Sequence, residues 1–132
     1  MSEFLSGLDA QGRVGGVSLV QLVAEFGSPL YVYDSDAIRA QFRAYLAHGL
    51  SREVRLHFAM KANSNLAILR LLAAEGAGFD IVSGGELARV LQAGGDAARV
   101  VFSGVAKTDA ELQAALAAGI GCFNVESAAE LQ

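Results

Sequence analysis

In the stretch HFAMKANSN, His57 to Asn65, a lysine follows an apolar run directly and precedes small polar residues. An ammonium at the end of a buried strand is costly unless it is paired or used chemically. Two readings of Lys61 follow. It is either a strand-end lysine reaching solvent or a carboxylate partner, or an amine in a partly apolar site that condenses with an aldehyde. Its position favours the second. Ala59 and Ala62 leave room beside it for a flat ring, and Asn63, Ser64 and Asn65 suit a turn that caps the next helix. Strand alternation puts His57, Ala59 and Lys61 on one face and Phe58 and Met60 on the other. His57 then reads as a satisfied core histidine rather than a proton carrier.

Asp80 is a carboxylate inside the apolar run GFDIV. It is either a hydrogen-bonded anchor or a group that orients a cofactor and tunes the lysine. The two readings are compatible, and the residues alone do not separate them. Glu86 reads first as the capping partner of Ser83. Lys107 reads as a solvated residue near a helix start, and Cys122, the single cysteine, as a small core residue without metal-spaced companions.

The elements that must position these groups are regular. RLHFAM, GFDIV, RVVFS and CFNVE are short apolar runs beginning roughly every 22 residues, each followed by a helical pattern. Helices are expected over Leu66 to Glu75, Glu86 to Ala93 and Ala110 to Ala118, with stripes such as Leu87, Val90, Leu91 and Leu112, Ala115, Leu116. FDIVSGGEL and FNVESAAEL echo one another 44 residues apart. SGGE, TDAE and SAAE each have the spacing of a capping box, and Gly76, Gly94 and Gly119 supply stops. Before these units, SLVQLVAEFG predicts an amphipathic helix, LYVY after Pro29 an edge strand, and Asp36 to His48 a second helix.

Strands joined by single helices run parallel with right-handed crossovers. An open doubly wound sheet and a closed eight-stranded barrel both fit that order. KANSN stands where a dinucleotide-binding sheet would carry its glycine fingerprint, which favours the barrel. The fold class expected is therefore α/β, the first three to four units of a (β/α)8 TIM-type barrel. A complete barrel takes about 250 residues, so a chain of 132 residues reads as a piece of one.

Composition narrows the function. The chain has 53% hydrophobic and 18% charged residues with a net charge of -4. Its lysines and arginines form no basic stripe, so nucleic acid is not an expected partner. It has no apolar run long enough to span a membrane and no basic-then-apolar start, so a cytoplasmic location and a small-molecule partner are expected.

Taken in order, FAMKANSN, GAGFDIVSGGEL, VVFSGVAKTDAEL and GIGCFNVESAAEL closely resemble the amino-terminal third of the diaminopimelate decarboxylases. These belong to a pyridoxal-phosphate-dependent family that includes ornithine and arginine decarboxylases and shares its barrel with alanine racemase. The resemblance runs from about Gly27 to Gln132. It implies pyridoxal 5'-phosphate as cofactor, carried on Lys61 as a Schiff base, with Asp80 and Glu86 near the active site and no metal. It also implies decarboxylation of meso-diaminopimelate to lysine by a homodimer. Another basic amino acid, or a non-catalytic pyridoxal-phosphate-binding barrel, is the alternative.

The resemblance further implies that residues 1–34 contribute to a second β domain, to which the PLYVYD strand belongs, and that residues 35–132 begin the cofactor-binding barrel. Departures from the family pattern are few: Phe58 and Met60 replace the usual Tyr and Val, Ser28 replaces Thr, and Ala106 stands where Gly is common.

Overall fold

The computed structural model describes residues 7–47 and 54–131. They fall into two compact units that divide between Tyr45 and Leu46.

The first unit opens with a hairpin that the apolar pattern did not predict. Strands β1 (Arg13–Val14) and β2 (Val17–Ser18) pair antiparallel across Gly15 and Gly16. Both loop residues have positive φ, 57° and 78°, which is the two-residue turn that matches strand twist. The Gly-Gly dipeptide between apolar residues was the available signal. Helix α1 (Leu19–Phe26) follows and ends at Gly27, as its periodicity predicts. Helix α2 (Ser35–Ala47) begins where Asp34 Oδ1 accepts the N–H groups of Asp36 and Ala37. Phe42 is its buried residue; Tyr45 is exposed, and His48 lies outside the described residues.

Leu30 to Tyr33, expected as a strand, has no strand pairing among the described residues, and Tyr31 is 86% exposed. A strand exists through a partner's ladder, and β1 and β2 pair only with each other.

The second unit has the expected βα order. Strands β3 (His57–Ala59), β4 (Gly78–Ile81), β5 (Val100–Phe102) and β6 (Cys122–Phe123) form one parallel sheet in chain order. Helices α3 (Leu66–Ala74), α4 (Gly84–Gln92) and α5 (Asp109–Ala118) connect them. Each helix packs beside the next, so all three cover the same face of the sheet. Consecutive strand order with helices on one face is the winding of a (β/α)8 barrel, not of a doubly wound sheet.

The core is the helix-facing half of each strand. Phe79, Ile81, Val100 and Phe102 are fully buried against Leu69, Leu72, Leu87, Val90 and Ala115. Phe102 stacks on Phe123 with centroids 6.0 Å apart. Leu91 and Leu116, expected on the same stripes, are exposed instead. Leu87 with Val90, and Ala115 alone, complete the burial on their helices, because each stripe is wider than the arc that the sheet covers.

The strands are shorter than the apolar runs that announce them. Beyond β3 the chain tightens into a 3-10 turn, Met60–Ala62. Met60 still points into the core, at 1% exposed. Only one expected capping box closes fully: Thr108 Oγ1 accepts the N–H of Glu111, while Glu111 Oε2 accepts that of Thr108. At Ser83 the hydroxyl accepts from Glu86 N, but Glu86 Oε2 reaches one residue further back, to Val82 N. Glu130 does the same with Glu126 N, so the 44-residue echo is a repeated loop clasp rather than a repeated box. No helix among the described residues is long and apolar enough to cross a membrane.

The loop after β5 carries Ala106 at φ 60°, the left-handed region that disfavours a side chain. Ala106→Gly is therefore expected to stabilise the full-length protein by about 1 kcal/mol. An unchanged denaturant midpoint would show that the loop relaxes around Ala106 without cost.

Candidate active site at the carboxyl ends of the strands

Lys61 lies in the 3-10 turn just past β3, and this turn packs against β4. Its side chain is exposed, and its amine has no hydrogen-bond partner among the described residues. The backbone around it is fixed. Asn63 Oδ1 accepts from Asn65 N at 2.9 Å, and Asn65 Oδ1 accepts from Ala67 N at 2.9 Å to cap α3. Arg89 on α4 donates from Nε to Ser64 O at 2.9 Å. The turn that carries Lys61 is thus tethered at Asn63, Ser64 and Asn65, while the amine itself is unengaged among the described residues.

Asp80 pairs in register with Ala59 on one side and Val101 on the other. Because Phe79 and Ile81 face the helices, alternation turns Asp80 to the opposite face. This face carries His57, Ala59, Gly78, Val101 and Cys122. Asp80 is half-buried, and its Oδ1 accepts from Ser103 Oγ. Ser103 Oγ in turn accepts from Asn124 Nδ2 at 2.9 Å. Three strand ends thus share one side-chain row.

Three residues differ from expectation. Lys107, expected in solvent, has a side chain only 1% exposed. Its ammonium donates to Gly104 O at 2.6 Å, to Asn124 O at 2.8 Å and to Glu130 Oε1 at 2.7 Å, so all three protons are used. Buried charge survives only when paired and fully hydrogen-bonded, and partners 17 and 23 residues downstream supply that here. Cys122 is exposed rather than in the core, because it lies on the face opposite Phe123. His57 is not a satisfied core histidine: its Nδ1 is buried with no partner among the described residues. The ring lies over Gly78, where an added Cβ would sit 2.6 Å from Nδ1.

Glu86 and Glu111 clasp the loops. Glu86 acts through Val82 N, as above. Glu111 closes its own cap with Oε2 and uses Oε1 to accept the N–H of Gly84, the first residue of the neighbouring helix, at 2.8 Å. Gly84 permits this approach, since a Cβ there would stand 3.0 Å from Glu111 Cγ. The Gly84 N–H first, and then the Thr108 N–H and hydroxyl, hold the Glu111 carboxyl at about 2, below the ordinary 4.5. The backbone N–H of Glu126 and then Lys107 likewise hold the Glu130 carboxyl below its ordinary value.

An unengaged amine just past the end of β3 and a half-buried carboxylate on β4 both stand near the carboxyl ends of the strands. Residues 35–132 match the family model described as pyridoxal-dependent decarboxylase, pyridoxal binding domain.

The chain belongs to the pyridoxal-dependent decarboxylases.

It is 53% identical over 124 residues to the diaminopimelate decarboxylase of Pseudomonas aeruginosa, covering 94% of this chain and 30% of that protein. The crystal structure of the Helicobacter pylori diaminopimelate decarboxylase complexed with L-lysine superposes with a TM-score of 0.80 at 44% identity, over 85% of this chain and 28% of that one. The lysine/ornithine decarboxylase of Vibrio vulnificus, complexed with cadaverine, gives 0.76 at 38%, over 86% and 30%. The chain thus spans about a third or less of the proteins it matches.

For a member of this family the residues present fit part of the cofactor. The Lys61 amine suits its aldehyde, and Asp80 suits a cationic nitrogen. Ala59, in register with Asp80, puts a small side chain beside the carboxylate.

The Glu111 clasp has a measurable sign. A carboxyl depressed in the fold adds stability above its unfolded value of 4.5, and that contribution is lost as pH falls toward about 2. In the full-length protein, Glu111→Gln is expected to lower the urea midpoint at neutral pH, with the gap from wild type closing between pH 4.5 and about 2. A gap independent of pH would mean that the ionised clasp contributes nothing.

Proposed function

We propose that the protein carrying this chain is a pyridoxal 5'-phosphate-dependent decarboxylase that converts meso-diaminopimelate to L-lysine. The observation that carries this reading is Lys61: an unengaged amine at the end of a parallel strand, on a turn tethered by Asn63, Asn65 and Arg89. It lies within a segment half identical to a diaminopimelate decarboxylase.

Pyridoxal phosphate, when bound, supplies an aldehyde for covalent attachment and a conjugated ring that accepts the electron pair left by departing carbon dioxide. The residues here perform the protein's share. Lys61 would hold the cofactor covalently through its amine. Asp80 offers a carboxylate to a cationic nitrogen on the same face, and Glu86 supports the loop beside it through Val82. The resemblance supports a homodimer acting in the cytoplasm. A lysine or ornithine decarboxylase is the second reading, favoured by the likeness to the Vibrio vulnificus enzyme.

The test uses the full-length protein loaded with pyridoxal phosphate. Carbon dioxide release should be faster from meso-diaminopimelate than from lysine, ornithine or arginine, and the reverse ranking would establish the second reading. Borohydride reduction and peptide mapping should place the pyridoxyl group on Lys61. Lys61→Ala should lower kcat by ~10²-fold or more. Label at Lys107, or unchanged turnover, would overturn the assignment.

A further inference from the structure

The row on β4, β5 and β6 has a direction. An amide Nδ2 only donates, a hydroxyl has one proton, and an ionised carboxylate only accepts. Because Asn124 Nδ2 donates to Ser103 Oγ at 2.9 Å, the single hydroxyl proton of Ser103 is committed to Asp80 Oδ1. The reverse direction would need a protonated Asp80 or a rotated Asn124 amide.

The backbone holds both donors in place. Ser103 N donates to Ile81 O at 2.7 Å and Asn124 N to Phe102 O at 2.9 Å, extending the parallel ladder past the strands. The carbonyl of Asn124 is pinned by the buried ammonium of Lys107 at 2.8 Å. Among the described residues, nothing donates to Asp80 Oδ2.

We infer that Ser103 and Asn124 are positioning residues for the reaction: they orient Asp80 through its Oδ1 and leave its second oxygen to accept from the amine that bears the cofactor or from the substrate amine. The inference rests on the functional reading above. Neither residue touches the reacting atoms; both act through Asp80. Lys107 serves the row indirectly, by fixing the strand end from which Asn124 projects.

The experiment uses the full-length protein, with cofactor affinity of the apoprotein, apoprotein melting temperature, kcat and KM as readouts. Ser103→Ala should weaken cofactor affinity ~10-fold or more, the worth of a hydrogen bond to a charged group, and lower kcat more than it raises KM. Ser103→Thr, which keeps the hydroxyl, should restore most of both. Asn124→Asp makes two carboxylates compete for one proton, so it should weaken affinity more than Asn124→Leu, which only removes a donor. If Asn124→Asp fails to fold, Ser103→Ala against Ser103→Thr decides.

Affinity and kcat at wild-type level in Ser103→Ala would overturn the inference and leave the functional reading standing. So would a fall in both only in proportion to melting temperature, with no rescue by Ser103→Thr. A wild type that binds cofactor but releases no carbon dioxide would overturn the functional reading, and the affinity ranking would still decide the row.

Discussion

The site depends on the register of β4 against β5. Phe79 opposite Val100 and Ile81 opposite Phe102 put four apolar side chains under the helices. Asp80 opposite Val101 then falls on the other face without choice. A shift of β4 by one residue would exchange its faces, exposing Phe79 and Ile81 and driving a carboxylate into an apolar layer. The burial that stabilises the sheet therefore also aims Asp80, and the same register brings Ser103 and Asn124 alongside it.

Beyond the strands, carboxylates and one buried ammonium do the ordering. Glu86, Glu111 and Glu130 each accept backbone N–H groups in the loops that follow the strands. Lys107 gathers the carbonyls of Gly104 and Asn124 with the Glu130 carboxylate. Loops leave N–H and C=O groups unpaired where the sheet ends, and these side chains supply the missing partners. The consequence is a rim whose backbone groups find side-chain partners where the sheet ladder ends. Lys61 stands apart from this arrangement, its turn held but its amine unengaged among the described residues.

Much of this was legible in the residue order. Apolar runs spaced by helical stripes gave the βα units, because burial of alternate or every third and fourth side chain is a local pattern. Caps and stops were equally local: Asn65, Thr108 with Glu111, and Gly119 act within a turn of their own position. Lys61 stood out for the same reason, as a cation with apolar residues on one side and turn formers on the other.

The failures share a cause. Lys107 reads as solvated until residues 17 and 23 positions later fold back onto it. His57 reads as satisfied until Gly78 brings the neighbouring strand against its ring. Cys122 reads as core until the pleat turns it outward, and Leu30 to Tyr33 reads as a strand although a strand is a property of two segments. The row from Asn124 through Ser103 to Asp80 is invisible in the chain, where its members are 21 and 23 residues apart. Helix periodicity, caps and turns are written by interactions within a few residues, so composition and spacing reveal them. Hydrogen-bond partners across strands are set by register, which emerges only when every strand finds a common burial.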